Sequence, residues 1–230
     1  MSLTAENTPA YIVKMYPQAS DLFKENKIDF CCGGDVSLKN QFEKNNLDGK
    51  AILAELNESY DRWQKDGNEA KDWDAVPIDE LVDHITYHHH EYLKQELPAL
   101  GEFVTKIFRV HGTDHPHLKE LHKVFNEFKT EMEEHTIKED TEVFPLIKEY
   151  EKNPSEELLE KIRIANGGLE DDHDAVGELL KRMREITNDF TPPADACNSY
   201  RITYARLAEM EADTFQHIHL ENNVLFKNLA

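Results

Sequence analysis

The sequence predicts an all-α fold: an up-down-up-down four-helix bundle preceded by a small helical N-terminal domain. Three observations carry that expectation. The alternation of apolar and polar residues that marks strands is missing along the chain. Apolar residues instead recur at steps of three and four, in long stretches joined by short turns, which is the pattern of antiparallel helical neighbours. One layout is also written twice: His135-Thr-Ile-Lys-Glu139 followed by Val143-Phe144, and His217-Ile-His-Leu-Glu221 followed by Leu225-Phe226.

Residues 1–66 read as short helices broken by Pro17 and by Gly33-Gly34, with Asp48 placed to cap a run through Ile52, Leu53, Leu56 and Tyr60. A polar linker over 67–76 follows, then the bundle over 77–230. Its helices are expected at 77–109, 115–150, 155–187 and 194–228. Pro77 suits a first helical turn. The breaks fall at Gly112-Thr113-Asp114, at Asn153-Pro154-Ser155 and from Asn188 to Pro193.

The second and fourth helices have the clearest apolar seams. Leu118, Leu121, Phe125, Phe128 and Met132 lead onto His135, Glu139 and Val143. Thr203, Leu207, Met210 and Thr214 lead onto His217, Glu221 and Val224. Residues four apart differ by only about 40° around a helix, so each His and Glu share the face that should be buried. A further histidine precedes each motif at nearly constant distance, His90 by 45 residues and His173 by 44. His89 fits that spacing and the flanking stripe of Leu93, Leu97, Leu100 and Val104 almost as well.

Burying ionised carboxylates without partners is prohibitively costly, and no basic residue is in step with either seam near them. A cation resolves the conflict by turning four imidazoles and two carboxylates into ligands. The duplicated set is that of a dinuclear metal centre. Nitrogen and carboxylate donors suit iron, zinc or manganese. The histidine-rich, carboxylate-bridged pattern favours a non-haem di-iron site over a hydrolytic zinc pair.

Other candidates are set aside on angle or position. His122 and His219 lie about 220° and 200° from the metal seams and should face outward. His84 and His88 share the first bundle helix, and His111, His115 and His117 sit at a turn as surface residues. Three cysteines form no disulfide framework. Adjacent Cys31 and Cys32, beside Gly33-Gly34, could present thiolates on a tight turn or be inert and buried. Cys197 stands near the last helix's start, where the dipole favours a thiolate, but is expected to be buried structurally.

The balance of 46 acids against 26 bases, a net charge of −20, excludes nucleic acid and an anionic membrane as main partners. No apolar run approaches a membrane span, and the N-terminus has no signal-peptide pattern, so a cytoplasmic protein is expected.

Beyond the duplicated motif, Asp29-Phe30-Cys31-Cys32-Gly33-Gly34, Asp172-His173-Asp174, Pro192-Pro193-Ala194-Asp195-Ala196-Cys197 and Glu221-Asn222-Asn223 complete a recognisable set. The whole chain resembles the di-iron repair-of-iron-centres family, the ScdA/YtfE type of iron–sulfur cluster repair protein. Val110-His111-Gly112 and Lys227 place it nearer the ScdA branch. The resemblance implies a hemerythrin-like bundle with His90, His135, Glu139, His173, His217 and Glu221 as metal ligands, which settles the choice of His90 over His89. It also implies two iron ions, oxo- and carboxylate-bridged, and a role in restoring clusters damaged by nitric oxide or oxidative stress. Damaged iron–sulfur proteins would be the partners, nitric oxide or oxygen the small ligands, and a homodimer is left open. Iron donation and nitric oxide reduction are both compatible chemistries, and Cys31 and Cys32 would contribute a thiol function. The rival readings are a reversible oxygen or nitric oxide binder or sensor, which would have no need of the Cys-Cys-Gly-Gly module, and a ferritin-like oxidase. The oxidase fold usually carries Glu-x-x-His rather than His-x-x-x-Glu.

Overall fold

Four short helices open the chain: α1 (Pro9–Met15), α2 (Ala19–Glu25), α3 (Leu38–Asn45) and α4 (Gly49–Lys65). The computed structural model describes residues 2–229, position 170 by its backbone alone. Caps set the helix starts: Thr8, Ser37 and Asp48 each accept a backbone N–H of the first turn, satisfying donors that a helix leaves open. Among the described residues every regular element is helical.

The chain divides into two compact units, Met1–Pro77 with Ile218–Ala230, and Ile78–His217. In the first, Ile12, Phe23, Leu38 and Leu56 form a buried core, and Tyr16 packs on Tyr60 and Trp63 at ring separations of 5.5 and 5.3 Å. Its loop over 29–34 depends on close backbone approach. A Cβ on Gly34 would lie 2.4 Å from the Phe30 carbonyl oxygen, and that glycine's own carbonyl accepts the Ala10 N–H. The Gln41 amide donates to the Asp29 carbonyl at 2.8 Å and accepts its N–H at 3.0 Å.

In the second unit, α5 (Ile78–His84) runs through a π-helical turn (Ile85–His90) into α6 (Glu91–His111). After a turn, α7 (His117–Lys138) passes through a second π turn (Glu139–Val143) into α8 (Phe144–Lys152). Then follow α9 (Glu156–Asn166), α10 (Leu169–Ile186) and α11 (Asn198–Leu220); from Ile218 the end of α11 and the third π turn that continues it (Glu221–Leu225) are counted with the first unit. These elements form the four long rods of the bundle. Helix α7 packs on α6 and α10 through Leu118, Leu121, Phe125, Phe128 and Met132, all buried. Arg206 on α11 grips Glu96 on α6 with two bonds of 2.7 Å, and Arg184 on α10 grips the buried Glu211 on α11.

Two expectations about helix boundaries need correction. The third rod is broken into α9 and α10 at Gly167-Gly168, where glycine lowers helix stability. The fourth begins at Asn198 rather than 194, because Pro192-Pro193 delay it. Before that, Asn188, Asp189 and Phe190 are all left-handed (φ 50°, 55° and 53°), a conformation that costs non-glycine residues energy. Thr187 Oγ1 holds this turn by accepting the Phe190 N–H at 3.0 Å.

Candidate metal centre

Each His-x-x-x-Glu motif ends an α-helix, and the Glu begins a π turn. The Phe144 N–H reaches the Glu139 carbonyl, and the Phe226 N–H reaches the Glu221 carbonyl at 2.9 Å, both five residues apart. His90 closes the remaining π turn. The wider turn re-aims side chains relative to the α-helical register, and such bulges are frequent at functional sites. Nothing in the residue pattern announces them.

Six side chains gather as two overlapping groups of ligand atoms. His90, Glu139, His217 and Glu221 form one, and His135, Glu139, His173 and Glu221 the other, with the atoms of each group within 4.8 Å of one another. None of the six is more than 4% exposed. The Nε2 atoms of His90 and His217 are 2.9 Å apart, and those of His135 and His173 are 3.1 Å apart. Two imidazole lone pairs cannot face each other at that distance without a proton or cation between them. Glu139 Oε2 lies 3.4 Å from His90 Nε2 and 3.1 Å from His135 Nε2. The donors thus fit two adjacent cations that share both carboxylates.

Outer residues orient the imidazoles. Asp140 Oδ1 lies 2.8 Å from His90 Nδ1, leaving its Nε2 to face the site, and Asp172 Oδ2 stands at an ion-pair distance of 3.7 Å from His135 Nδ1. The Phe144 ring stacks on His90 (5.4 Å, 12°), and His89 stacks on His217 (5.5 Å, 4°) while bonding Asp213 at 2.9 Å. His89 therefore supports the ring of His217, and His90 joins the donor group of His217. Spacing along the chain gives Asp140, Asp172 and Asp213 no role and offers His89 only as an alternative ligand to His90. The available signal was position: two of the aspartates adjoin a ligand, and Asp213 is one turn before His217.

Several expectations are overturned. His219 is 1% exposed rather than outward: Phe30 of the N-terminal loop covers that side of the helix and accepts its Nδ1–H at 3.3 Å. Burial pushes its imidazole pKa down to about 4. His122 is half-buried, close to Thr105 at 3.2 Å and against Phe108. His111, His115 and His117 are half-buried too, His117 within 3.1 Å of the Tyr200 and Tyr204 hydroxyls. Cys197 is exposed, because its segment precedes the first buried turn of α11. Cys31 is buried and Cys32 half-buried, with sulfurs 3.6 Å apart. The Asn223 amide donates to the Cys31 carbonyl at 2.9 Å. Hydrogen bonding to Cys32, then burial, pushes the Cys31 thiol pKa well above the usual value. No helix among the described residues is long and apolar enough to cross a membrane.

Comparison with known proteins agrees with this geometry. Residues 81–229 match the hemerythrin HHE cation-binding domain family. Residues 5–60 match the ScdA N-terminal family, described as a domain of unknown function (DUF542). The iron–sulfur cluster repair protein ScdA of Staphylococcus epidermidis is 35% identical over 229 residues, 99% of this chain and 100% of the relative. That of Staphylococcus haemolyticus is 34% identical, with 99% and 100% covered. The iron–sulfur cluster repair protein YtfE of Citrobacter koseri is 35% identical over 91% of this chain and 90% of the relative. With a hemerythrin-type bundle, a ScdA-type N-terminal domain and two donor groups sharing two glutamates, the chain belongs to the ScdA/YtfE family of iron–sulfur cluster repair proteins.

Proposed function

We propose that the protein repairs iron–sulfur clusters damaged by nitric oxide or oxidative stress, using a di-iron centre. The observation that carries this reading is the pair of donor groups sharing Glu139 and Glu221. His90 and His217 would complete the shell of one iron, and His135 and His173 that of the other, with both glutamates bridging. Bound there, iron would supply redox chemistry. Asp140 keeps the coordinating nitrogen of His90 aimed inward, and the apolar seam keeps bulk water out. Iron serves in this reading as cargo donated to a client, as the seat of nitric oxide removal, or as both. Damaged iron–sulfur proteins are the clients, and nitric oxide or oxygen the small ligands, in a cytoplasmic setting.

The domains in this proposal are residues 1–66, a linker over 67–76 and the bundle over 77–230. Cys31 and Cys32 would supply a thiol function, with the half-buried Cys32 the accessible member of the pair. The test uses a cluster enzyme inactivated by nitric oxide. The reduced, iron-loaded protein should restore its activity, and Glu139→Leu should not. Equal repair by the variant would overturn the site, whereas a stable oxygen adduct without repair would favour a hemerythrin-like carrier.

A further inference from the structure

A second group of reactive side chains lies at the other end of the bundle unit. His111 ends α6, His117 begins α7 and Cys197 immediately precedes α11, whereas His90, His135 and His217 occupy the opposite ends of the same rods. Along α6 alone, the 21 residues from His90 to His111 span about 30 Å at the α-helical rise.

Here Cys197 Sγ lies 3.3 Å from His111 Nε2. The thiol is open to solvent, while the imidazole is held from behind. Its ring meets Tyr200 edge-on at 5.6 Å, and Tyr200 is fully buried, within 3.1 Å of His117 and 3.3 Å of the Tyr204 hydroxyl. Tyr200 also backs His115, which in turn faces Asp195 at 3.5 Å. The Cys197 carbonyl accepts the Arg201 N–H at 3.1 Å, so this cysteine caps the 23-residue α11, whose amide dipoles favour negative charge on sulfur. An imidazole nitrogen this close to an exposed thiol has the geometry of a base beside a nucleophile.

We propose that Cys197 is a reactive thiol that forms mixed disulfides with small-molecule disulfides, with His111 as its base. The sulfur attacks one sulfur of the disulfide as its proton passes to His111 Nε2. A Cys197–sulfur bond forms and the incoming S–S bond breaks. The departing thiolate then collects the proton from the imidazolium, so one disulfide is exchanged for another with no net oxidation. No second cysteine lies within residues 78–217, so that unit holds no thiol to resolve the adduct. Cys31, buried and held protonated by Cys32, should react later despite belonging to the conspicuous motif.

The experiment treats the metal-loaded full chain with glutathione disulfide and follows adducts by intact mass and peptide mapping. The expected first adduct is on Cys197, with the same rate in a Cys31→Ser/Cys32→Ser variant. His111→Gln should slow it by about 10²-fold, in the range of general-base catalysis, and should remove the histidine inflection from the rate–pH profile. Metal content and circular dichroism of that variant report its folding, and the rate–pH profile of the unmutated chain tests the base without any substitution. A first adduct on Cys31 or Cys32 would overturn the proposal, as would a Cys197 rate without a histidine inflection.

Discussion

Glu139 and Glu221 each lie one turn after a histidine and each begins a π-helical turn. The duplication in the sequence is thus matched by a duplicated backbone device. Because these two residues belong to both donor groups while every histidine belongs to one, the four histidines and two glutamates are not equivalent.

That asymmetry predicts graded metal loss. His173→Ala should leave the group of His90 and His217 intact and lower bound metal from two ions per chain to about one. Glu139→Ala should deplete both. Elemental analysis of the purified variants checks this, and equal loss from both substitutions would contradict the shared-carboxylate arrangement.

Stability should depend on the metal in a specific way. Free metal at 1,000 times its dissociation constant stabilises the fold by about 4 kcal/mol per independent site. Stripped of metal, the unmutated chain keeps two carboxylates in its core, so Glu139→Leu should unfold at a similar or higher denaturant concentration than the stripped parent, by about 1–4 kcal/mol. With metal present the order should reverse. Urea titrations of both forms measure it.

Much of this was legible in the residues, and the parts that were not have physical causes. The seams of α7 and α11 follow helical periodicity, so Leu118 through Met132 and Leu207 through Thr214 were readable as buried, and the histidines and glutamates continuing them as candidate ligands. Periodicity assumes a constant 3.6 residues per turn, so it could not reveal the three π turns. An angle also says which way a side chain points but not what covers it: His219 points away from its seam and is buried all the same. The orienting contact of Asp140 with His90, and the approach of Asp172 to His135, depend on tertiary structure, which spacing along the chain does not encode.

One ion pair should prove costly to break. Glu211 is 1% exposed and held by Arg184, whose Nε donates to it at 2.9 Å. Arg184→Ala would leave that carboxylate buried without its guanidinium, a loss of about 3–5 kcal/mol. Arg184→Met combined with Glu211→Leu should recover most of it. Chemical denaturation of the three variants against the parent distinguishes loss of the pair from loss of packing.

The Cys31 thiol sets a pH dependence with a definite sign. Its folded pKa is raised, so the folded state keeps the proton where the unfolded chain has lost it, and stability falls as pH rises through the unfolded thiol's range. In the native protein, alkylation of Cys31 should stay slow above the ordinary thiol range and become fast on unfolding. A Cys31→Ser variant should lack that alkaline loss of stability.

The most direct test of the central claim is Mössbauer spectroscopy with iron quantification on anaerobically purified protein. Two irons per chain, magnetically coupled, are expected, with coupling abolished in Glu139→Ala. One iron per chain, or two that behave as isolated ions, would contradict it.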